Sequence, residues 1–229
     1  MFNLIVVSHP DDEILGFGGS GHNCICRGEI VQPVILCGKV KVRTKRPTDS
    51  ILISNIKKAN SLLGFNFPVL GDFPNLCLNS LPHVDIVRFI EEQIIKFKPN
   101  RIFTHHPNDL NNDHSVIANA CLAAARLSQR SNSINPILGL YFMEILSCTE
   151  WSYDIAHQGF NPHKFINIAE SIDKKIEALD CYDGVMRESP HPRSKEVIKS
   201  LANYRGAQIG YKYAESFQVG FQRGLNVSF

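Results

Sequence analysis

The first thirteen residues constrain the fold more than any other part of the chain. An apolar run at 2–7 has strand character, and the sequence Ser-His-Pro-Asp-Asp-Glu follows at once at 8–13. Pro10 has a fixed φ and no backbone donor, so the strand must end there. Open α/β sheets place their binding sites just beyond the carboxyl ends of such strands. The alternative is an ordinary strand-to-helix turn in which Asp11 or Asp12 caps the helix.

Strand-like and helix-like patterns alternate along the rest of the chain. After the first strand, strand patterns are predicted at 30–37, 65–70, 101–105, 138–146 and 164–168. Helical spacing predicts helices at 13–27, 52–63, 87–97, 116–127, 172–179 and 197–204. This alternation predicts an α/β, Rossmann-like, mostly parallel sheet with helices on both faces. The length of 229 residues suits a single domain, 1–229, whose less regular part after about residue 130 is expected to hold the substrate-specific elements.

Composition argues against several classes of function. A formal net charge of +2 is too small to indicate a nucleic-acid partner. No apolar run is long enough to predict a membrane span. The seven cysteines are scattered without a CxxC pair, which indicates a reduced, cytoplasmic protein. No heptad pattern predicts an oligomeric state.

A second polar cluster lies at 104–114, with the sequence Thr-His-His-Pro-Asn-Asp-Leu-Asn-Asn-Asp-His. It follows a predicted strand and precedes a predicted helix, as the first cluster does. If the two strands are neighbours, His9 and Asp12 meet a downstream histidine and together supply three ligands of a catalytic zinc site. Asp11 then remains to take a proton from a metal-bound water. The alternative is an Asn/Asp-rich turn with solvated histidines.

These motifs resemble those of the LmbE-like/PIG-L family, whose members are zinc-dependent deacetylases of N-acetylated amino sugars and glycoconjugates. The resemblance extends over nearly the whole chain and includes further short motifs. They are Gly-Phe-Gly-Gly at 16–19, His-Pro-Arg-Ser at 191–194 and Ala-Glu-Ser-Phe at 214–217. The resemblance implies a hydrolase that removes the acetyl group from an N-acetylglucosamine-like substrate.

Individual roles follow from the same resemblance. It implies that His9, Asp12 and His114 bind Zn²⁺, that Asp11 is the general base, and that Asp113 orients a ligand histidine. Fe²⁺ or another divalent transition metal is the alternative cofactor.

The sequence departs from the family pattern at Asn111, where many members have a histidine that stabilises the oxyanion. An amide can donate a hydrogen bond to an oxyanion, but it cannot deliver a proton. His191 is therefore our candidate for the acid that protonates the leaving amine, and it can also hold the oxyanion. His105 and His106 are alternatives, and Asp11 can return the proton that it has taken.

Two basic features concern the substrate. The loop 39–46, which includes Arg43, is either a solvated loop or a contact for an anion such as the diphosphate of a nucleotide-linked sugar. Arg193 either binds a sugar hydroxyl or phosphate, or pairs with Glu196 on the late helix. The expected partner is thus a small amino-sugar substrate, either free or nucleotide-linked.

Two other classes of function remain open at this point. Two histidines and a carboxylate also suit a non-haem Fe(II) enzyme. A non-catalytic sugar-binding protein of the same fold is the second alternative. The glycine pattern at 16–21 fits G-x-G-x-x-G, but residues 30–48 contain no acidic residue, and we interpret the glycines as allowing close helix–sheet packing.

Overall fold

A computed structural model describes residues 1–38, 47–132, 134–153 and 159–224 of the chain. Within these ranges lie seven β-strands and six α-helices. The strands are β1 (Phe2–Val7), β2 (Ile30–Ile35), β3 (Val69–Leu70), β4 (Arg101–Thr104), β5 (Gly139–Met143), β6 (Lys164–Asn167) and β7 (Ala214–Gln222). The helices are α1 (Asp12–Cys26), α2 (Asp49–Leu63), α3 (His83–Phe97), α4 (Asn112–Ala124), α5 (Ile172–Asp180) and α6 (Lys195–Ala207). No helix among the described residues is long and apolar enough to cross a bilayer.

All seven strands belong to one sheet with the order β3-β2-β1-β4-β5-β7-β6. The first five strands in this order are parallel, and β7 runs antiparallel between β5 and β6. The predicted single-domain α/β fold with a mostly parallel sheet is therefore confirmed.

The strand β7 is the element that the sequence does not predict. Its sequence, Ala-Glu-Ser-Phe-Gln-Val-Gly-Phe-Gln, mixes polar residues into the buried half of the strand. Glu215 is buried there because its carboxylate meets the Lys175 ammonium at 2.7 Å. A local sequence pattern cannot reveal a partner on another element.

Helices cover the sheet on both faces, and β1 is buried between them. Ile5 and Val7 belong to the core that includes residues of α1, α2 and α5, whereas Leu4 and Val6 belong to the core that includes residues of α3 and α4. Both faces of β1 are thus buried, which explains why its apolar run is continuous.

The helix α1 lies very close to its neighbours. At Gly21 an added Cβ would lie 2.3 Å from the Phe65 ring, and at Gly19 it would lie 2.9 Å from the Ile168 side chain. No larger residue fits at these positions without displacing its neighbours. The geometry agrees with the interpretation of the glycine pattern as close packing.

The strand order reverses between β1 and β4, which are hydrogen-bonded neighbours. Their register pairs Asn3 with Arg101 and Val6 with Thr104. Both strands therefore end at the same edge of the sheet, where open α/β sheets bind their ligands. The two polar clusters come together at this edge.

Candidate metal and catalytic site

The turn between β1 and α1 has an unusual backbone conformation at Asp11. Its φ is 101°, in the left-handed region that few residues other than glycine adopt. The N–H of Asp11 donates to Glu13 Oε2 at 3.0 Å. Glu13 Oε1 accepts a hydrogen bond from Asn60 Nδ2 at 2.9 Å and another from the Tyr182 hydroxyl. A buried acid thus holds the turn in place.

His9, Asp12 and His114 converge at the junction of the two loops. Asp12 Oδ2 lies 3.3 Å from His9 Nδ1 and 3.3 Å from His114 Nε2. One potential ligand atom from each residue lies within 4.8 Å of the others, and all three side chains are buried. The structure therefore brings together the three residues singled out from the sequence, and their role as ligands stays a prediction.

The other ring nitrogens of both histidines meet further carboxylates. His9 Nε2 lies 3.1 Å from Asp113 Oδ2, and His114 Nδ1 lies 3.3 Å from Asp109 Oδ2. Metal-binding histidines commonly show this arrangement, because the outer carboxylate fixes the tautomer and orientation of the ring. The sequence predicted this role for Asp113 and gave none to Asp109.

Each outer carboxylate is in turn held by donors. Asp113 accepts the backbone N–H groups of Leu76 at 2.6 Å and Leu78 at 3.1 Å. Asp109 Oδ2 accepts the hydroxyl of Thr149 at 2.7 Å. No sequence motif marks Thr149, so only the fold reveals this contact.

Burial and neighbouring charges shift the pKa values of His9, Asp12 and His114 in opposite directions. Burial lowers the pKa of His114, but the carboxylates of Asp12 and Asp109 raise it to about 9. Burial likewise lowers the pKa of His9, and hydrogen bonds to Asp113 and Asp12 raise it above its usual value. Burial raises the pKa of Asp12, and the neighbouring histidines lower it well below its usual value. The pocket therefore stabilises positive charge beside Asp12, which suits a bound cation.

The donor atoms fit a divalent transition metal. His114 is 1% exposed, and neither of its ring nitrogens makes a well-aligned hydrogen bond within the described residues, although a carboxylate oxygen lies 3.3 Å from each. A buried polar atom without a hydrogen bond is costly, and a metal ion at Nε2 would satisfy it. Two imidazoles and one carboxylate are a ligand set of catalytic zinc sites and also of non-haem iron sites.

Asp11 pairs with Arg193. Arg193 Nη1 lies 2.8 Å from Asp11 Oδ2, and its Nε donates to Ser147 Oγ at 2.9 Å. The guanidinium is largely buried beside the carboxylate. The sequence predicts that this arginine either binds the sugar or pairs with Glu196. The structure shows a further contact, with Asp11, the predicted general base.

Two alternatives for the general acid are poorly suited to it. Burial lowers the pKa of His105 to about 3, and its Nε2 accepts the N–H of Ser8 at 2.8 Å. Burial also lowers the pKa of His106, whose Nδ1 accepts the N–H of Asn108 at 3.2 Å. Both rings are therefore neutral at pH 7. His191 is exposed and lines the cavity beside Asp11. Its Nδ1 accepts the N–H of Arg193 at 3.0 Å, so Nε2 is the nitrogen that could serve as the acid, and His191 remains our candidate.

Asn111 and Arg43, which the sequence analysis assigned to the site, are not among the residues that the structure brings together there. The side-chain oxygen of Asn111 caps α4 by accepting the N–H of Asp113 at 3.0 Å, and Asn111 does not belong to the described wall of the cavity beside Asp11. Its role at the oxyanion stays a prediction. Arg43 lies outside the described residues.

A cavity of about 540 Å³ opens beside Asp11. Its size suits a sugar or a small glycoconjugate. Loop and helix residues from both halves of the chain line it: Pro10, Asp11, Pro47, Leu52, Asn55, Ser147, Cys148, Tyr182, Asp183, Gly184, Val185, Arg187, His191 and Arg193. Most of this wall lies after residue 130, in the part of the chain expected to hold the substrate-specific elements.

Comparison with known proteins gives one family and several structures. The model of the family PIG-L, GlcNAc-PI de-N-acetylase, matches residues 4–125. The conserved protein TT1542 from Thermus thermophilus has a TM-score of 0.79 and 22% identity, covering 100% of this chain and 99% of that chain. N,N'-diacetylchitobiose deacetylase from Pyrococcus horikoshii has a TM-score of 0.77 and 17% identity, covering 95% of this chain and 83% of that chain. No curated protein matches the sequence.

A further similar structure has a different reaction in its description. GalB, the 4-carboxy-2-hydroxymuconate hydratase from Pseudomonas putida, has a TM-score of 0.78 and 18% identity, covering 100% of this chain and 99% of that chain. At such identities the likeness shows the fold alone. Because one fold hosts a deacetylase and a hydratase, the reaction must be argued from the residues of the site.

Proposed function

Since this chain belongs to the PIG-L family, whose model describes a de-N-acetylase, we propose that it is a metal-dependent hydrolase of N-acetylated amino sugars or glycoconjugates. The observation that carries the proposal is the meeting of the two strand-end loops. Ligand atoms of His9, Asp12 and His114 lie within 4.8 Å of one another, and Asp11, which precedes Asp12 in the sequence, lines the cavity.

Different residues of the chain have different roles in amide hydrolysis. A Zn²⁺ ion bound by His9, Asp12 and His114 would polarise the amide carbonyl and lower the pKa of a bound water. Asp11 takes the proton of the attacking water, and Arg193 fixes the orientation of its carboxylate.

The second half of the reaction needs a proton donor for the leaving nitrogen. His191 delivers this proton, or Asp11 returns the one that it has taken. The C–N bond of the amide breaks, the acetyl group leaves as acetate, and the sugar keeps the amine.

The experiment is an acetate-release assay over a panel of N-acetyl sugars, which includes free, nucleotide-linked and lipid-linked compounds. We expect Asp11→Asn to lower kcat/KM by about 10²–10⁴-fold, because loss of general acid–base catalysis has this size. Asp183→Asn is the matched control, since Asp183 lines the same cavity and has no role in the mechanism. Full activity of Asp11→Asn would refute the assignment of the base.

Metal dependence is tested on the same protein. Chelation should abolish acetate release, and a divalent ion should restore it. Reconstitution with Zn²⁺ and with Fe²⁺, assayed without oxygen, separates hydrolysis from iron oxygenase chemistry. Metal retained without acetate release from any substrate would favour a non-catalytic sugar-binding protein.

A further inference from the structure

A second cavity, of about 270 Å³, lies at the opposite edge of the sheet from Asp11. Its wall includes Met1, which precedes β1, and Arg101, the first residue of β4. The candidate metal site lies beyond the carboxyl ends of the same two strands. Six residues form β1, and at about 3.3 Å per residue they separate the two edges by about 17 Å. The second cavity is therefore distinct from the proposed active site.

The wall of the second cavity is rich in positive charge. Four cationic side chains line it, and no aspartate or glutamate of the described chain does so: Arg27, Arg101, Lys164 and Arg223. Glu29 lies outside this wall and pairs with Arg27 at 3.2 Å and with Arg101 at 3.4 Å. One carboxylate thus serves two guanidinium groups, and the wall keeps an excess of positive charge.

Lys164 has no acidic partner among the residues that the structure describes. It is partly buried at the start of β6, and its Nζ lies 5.0 Å from the centre of the Tyr141 ring. Burial and the positive charge of Arg101 lower the pKa of Lys164. A nearby carboxylate would act in the opposite direction, because it favours the charged form. An anion that enters the cavity would therefore stabilise this ammonium.

The other residues of the wall are mostly apolar. Phe103 and Tyr141 are 2% and 3% exposed, and Leu138 and Phe165 are partly buried. An inorganic ion gains little from such a surface, whereas an anion with a carbon skeleton can bury apolar area against it. The volume is slightly below the range of about 300–1,000 Å³ that is usual for ligand pockets, which suits a small metabolite.

We infer that the second cavity binds a small organic anion that carries more than one negative charge, such as a phosphate ester or a dicarboxylate. Arg101 and Lys164 bind the anionic group, and the carbon part packs against Leu138 and Phe165. Guanidinium groups suit both kinds of anion, because they bind phosphate and carboxylate with two parallel hydrogen bonds. The inference does not depend on the proposed function.

The test is isothermal titration calorimetry of the metal-free full chain with four probes. They are phenyl phosphate, phthalate, inorganic phosphate and phenol. Phenyl phosphate or phthalate should bind more tightly than inorganic phosphate, because the ring buries apolar surface. Phenol carries no charge at neutral pH and should not bind measurably. The tighter of the two aromatic anions identifies the kind of anionic group that the cavity prefers.

Lys164→Met removes one cation from the wall and keeps an unbranched side chain. The affinity for the tighter aromatic anion should fall about tenfold, the lower end of the value for a hydrogen bond to a charged group. Lys174→Met is the matched control, because Lys174 pairs with Glu177 and does not line the cavity. Arg187→Met is the control for anion binding beside Asp11. Both controls should keep the affinity of the parent.

Thermal unfolding separates anion binding from a structural role of Lys164. Without the anion, Lys164→Met should keep or raise the melting temperature, because a partly buried charge beside Arg101 is removed. With the anion, the melting temperature of the parent should rise more than that of the variant. If the contact with Tyr141 is the whole role of Lys164, the variant melts lower by the same amount with and without the anion.

Three results would overturn the inference. The first is that neither phenyl phosphate nor phthalate binds. The second is an unchanged affinity of Lys164→Met, since the anion would then bind elsewhere. The third is an equal loss of affinity in either control variant, which would indicate an effect of net charge or binding beside Asp11. None of these measurements uses acetate release, so failure here is distinct from failure of the proposed function.

Discussion

The pairing of Arg193 with Asp11 leads to a prediction that separates two roles of the arginine. If Arg193 orients and stabilises the ionised base, Arg193→Met changes the pH dependence of the reaction. If Arg193 instead binds the substrate, as the sequence also suggested, the variant raises KM at every pH. Methionine keeps much of the apolar stem and removes the charge.

The size of the effect follows from the geometry. The two charged groups are 2.8 Å apart, and their side chains are 11% and 4% exposed. An arginine at such a distance stabilises an ionised carboxylate by an amount equivalent to about 1–3 pH units. Each unit corresponds to about 1.4 kcal/mol. We therefore expect the acid limb of the kcat/KM profile to move upward by about 1–3 pH units in Arg193→Met.

The assay is acetate release from pH 5 to pH 9 with the metal-loaded protein. Arg187→Met is the control, because Arg187 lines the same cavity and has no assigned role with the base. The Arg193 variant should regain much of the parent's rate at high pH, where the base is ionised in both proteins. An acid limb that stays in place while KM rises would refute the pairing as the function of Arg193.

Three further predictions concern stability and metal binding. Thr149→Val removes the hydroxyl that donates to Asp109. We therefore expect the affinity for the metal to fall about tenfold, as measured by competition titration with a chelator. An unchanged affinity would contradict this prediction. Burial raises the pKa of Glu13 from 4.5 to about 7. Between pH 4.5 and about pH 7, Glu13 binds more protons in the folded state than in the unfolded state. Its contribution to the unfolding free energy of the metal-free protein should therefore fall by about 3 kcal/mol as the pH rises through these values. Urea titrations should show this slope in the parent and lose it in Glu13→Gln, and equal slopes would contradict the assignment. Gly21→Ala places a Cβ against the Phe65 ring and should lower the unfolding free energy by about 1–3 kcal/mol, and an unchanged value would show that the ring moves freely.

The sequence predicted the first half of the fold well because its signals are local. The strand at 2–7 and the helix that follows the His-Pro-Asp-Asp-Glu motif are marked by apolar runs and by Pro10. The resemblance to the LmbE-like/PIG-L family is confirmed by the family model that matches residues 4–125. The meeting of His9 with His114 followed once two strand ends were assumed to be neighbours, and the pairing of β1 with β4 justifies that assumption.

The second half was harder because its determinants are long-range. The strand β7 contains Glu215, whose burial makes sense only with Lys175 beside it. The contact between Arg193 and Asp11 joins residues 182 positions apart, and neither a motif nor a period encodes such a pair.

The position of β7 bears on how the polypeptide acquires its structure during translation. Among the described strands, β6 is hydrogen-bonded to β7 alone, so it cannot join the sheet before residues 214–222 have left the ribosome. Glu215 also accepts the N–H groups of Gly19 and Ser20, so the docking of α1 is completed by the same late segment. A nascent chain that stalls before this point exposes unfinished sheet and leaves Lys175 without its carboxylate. We expect this species to be the one most in need of a chaperone.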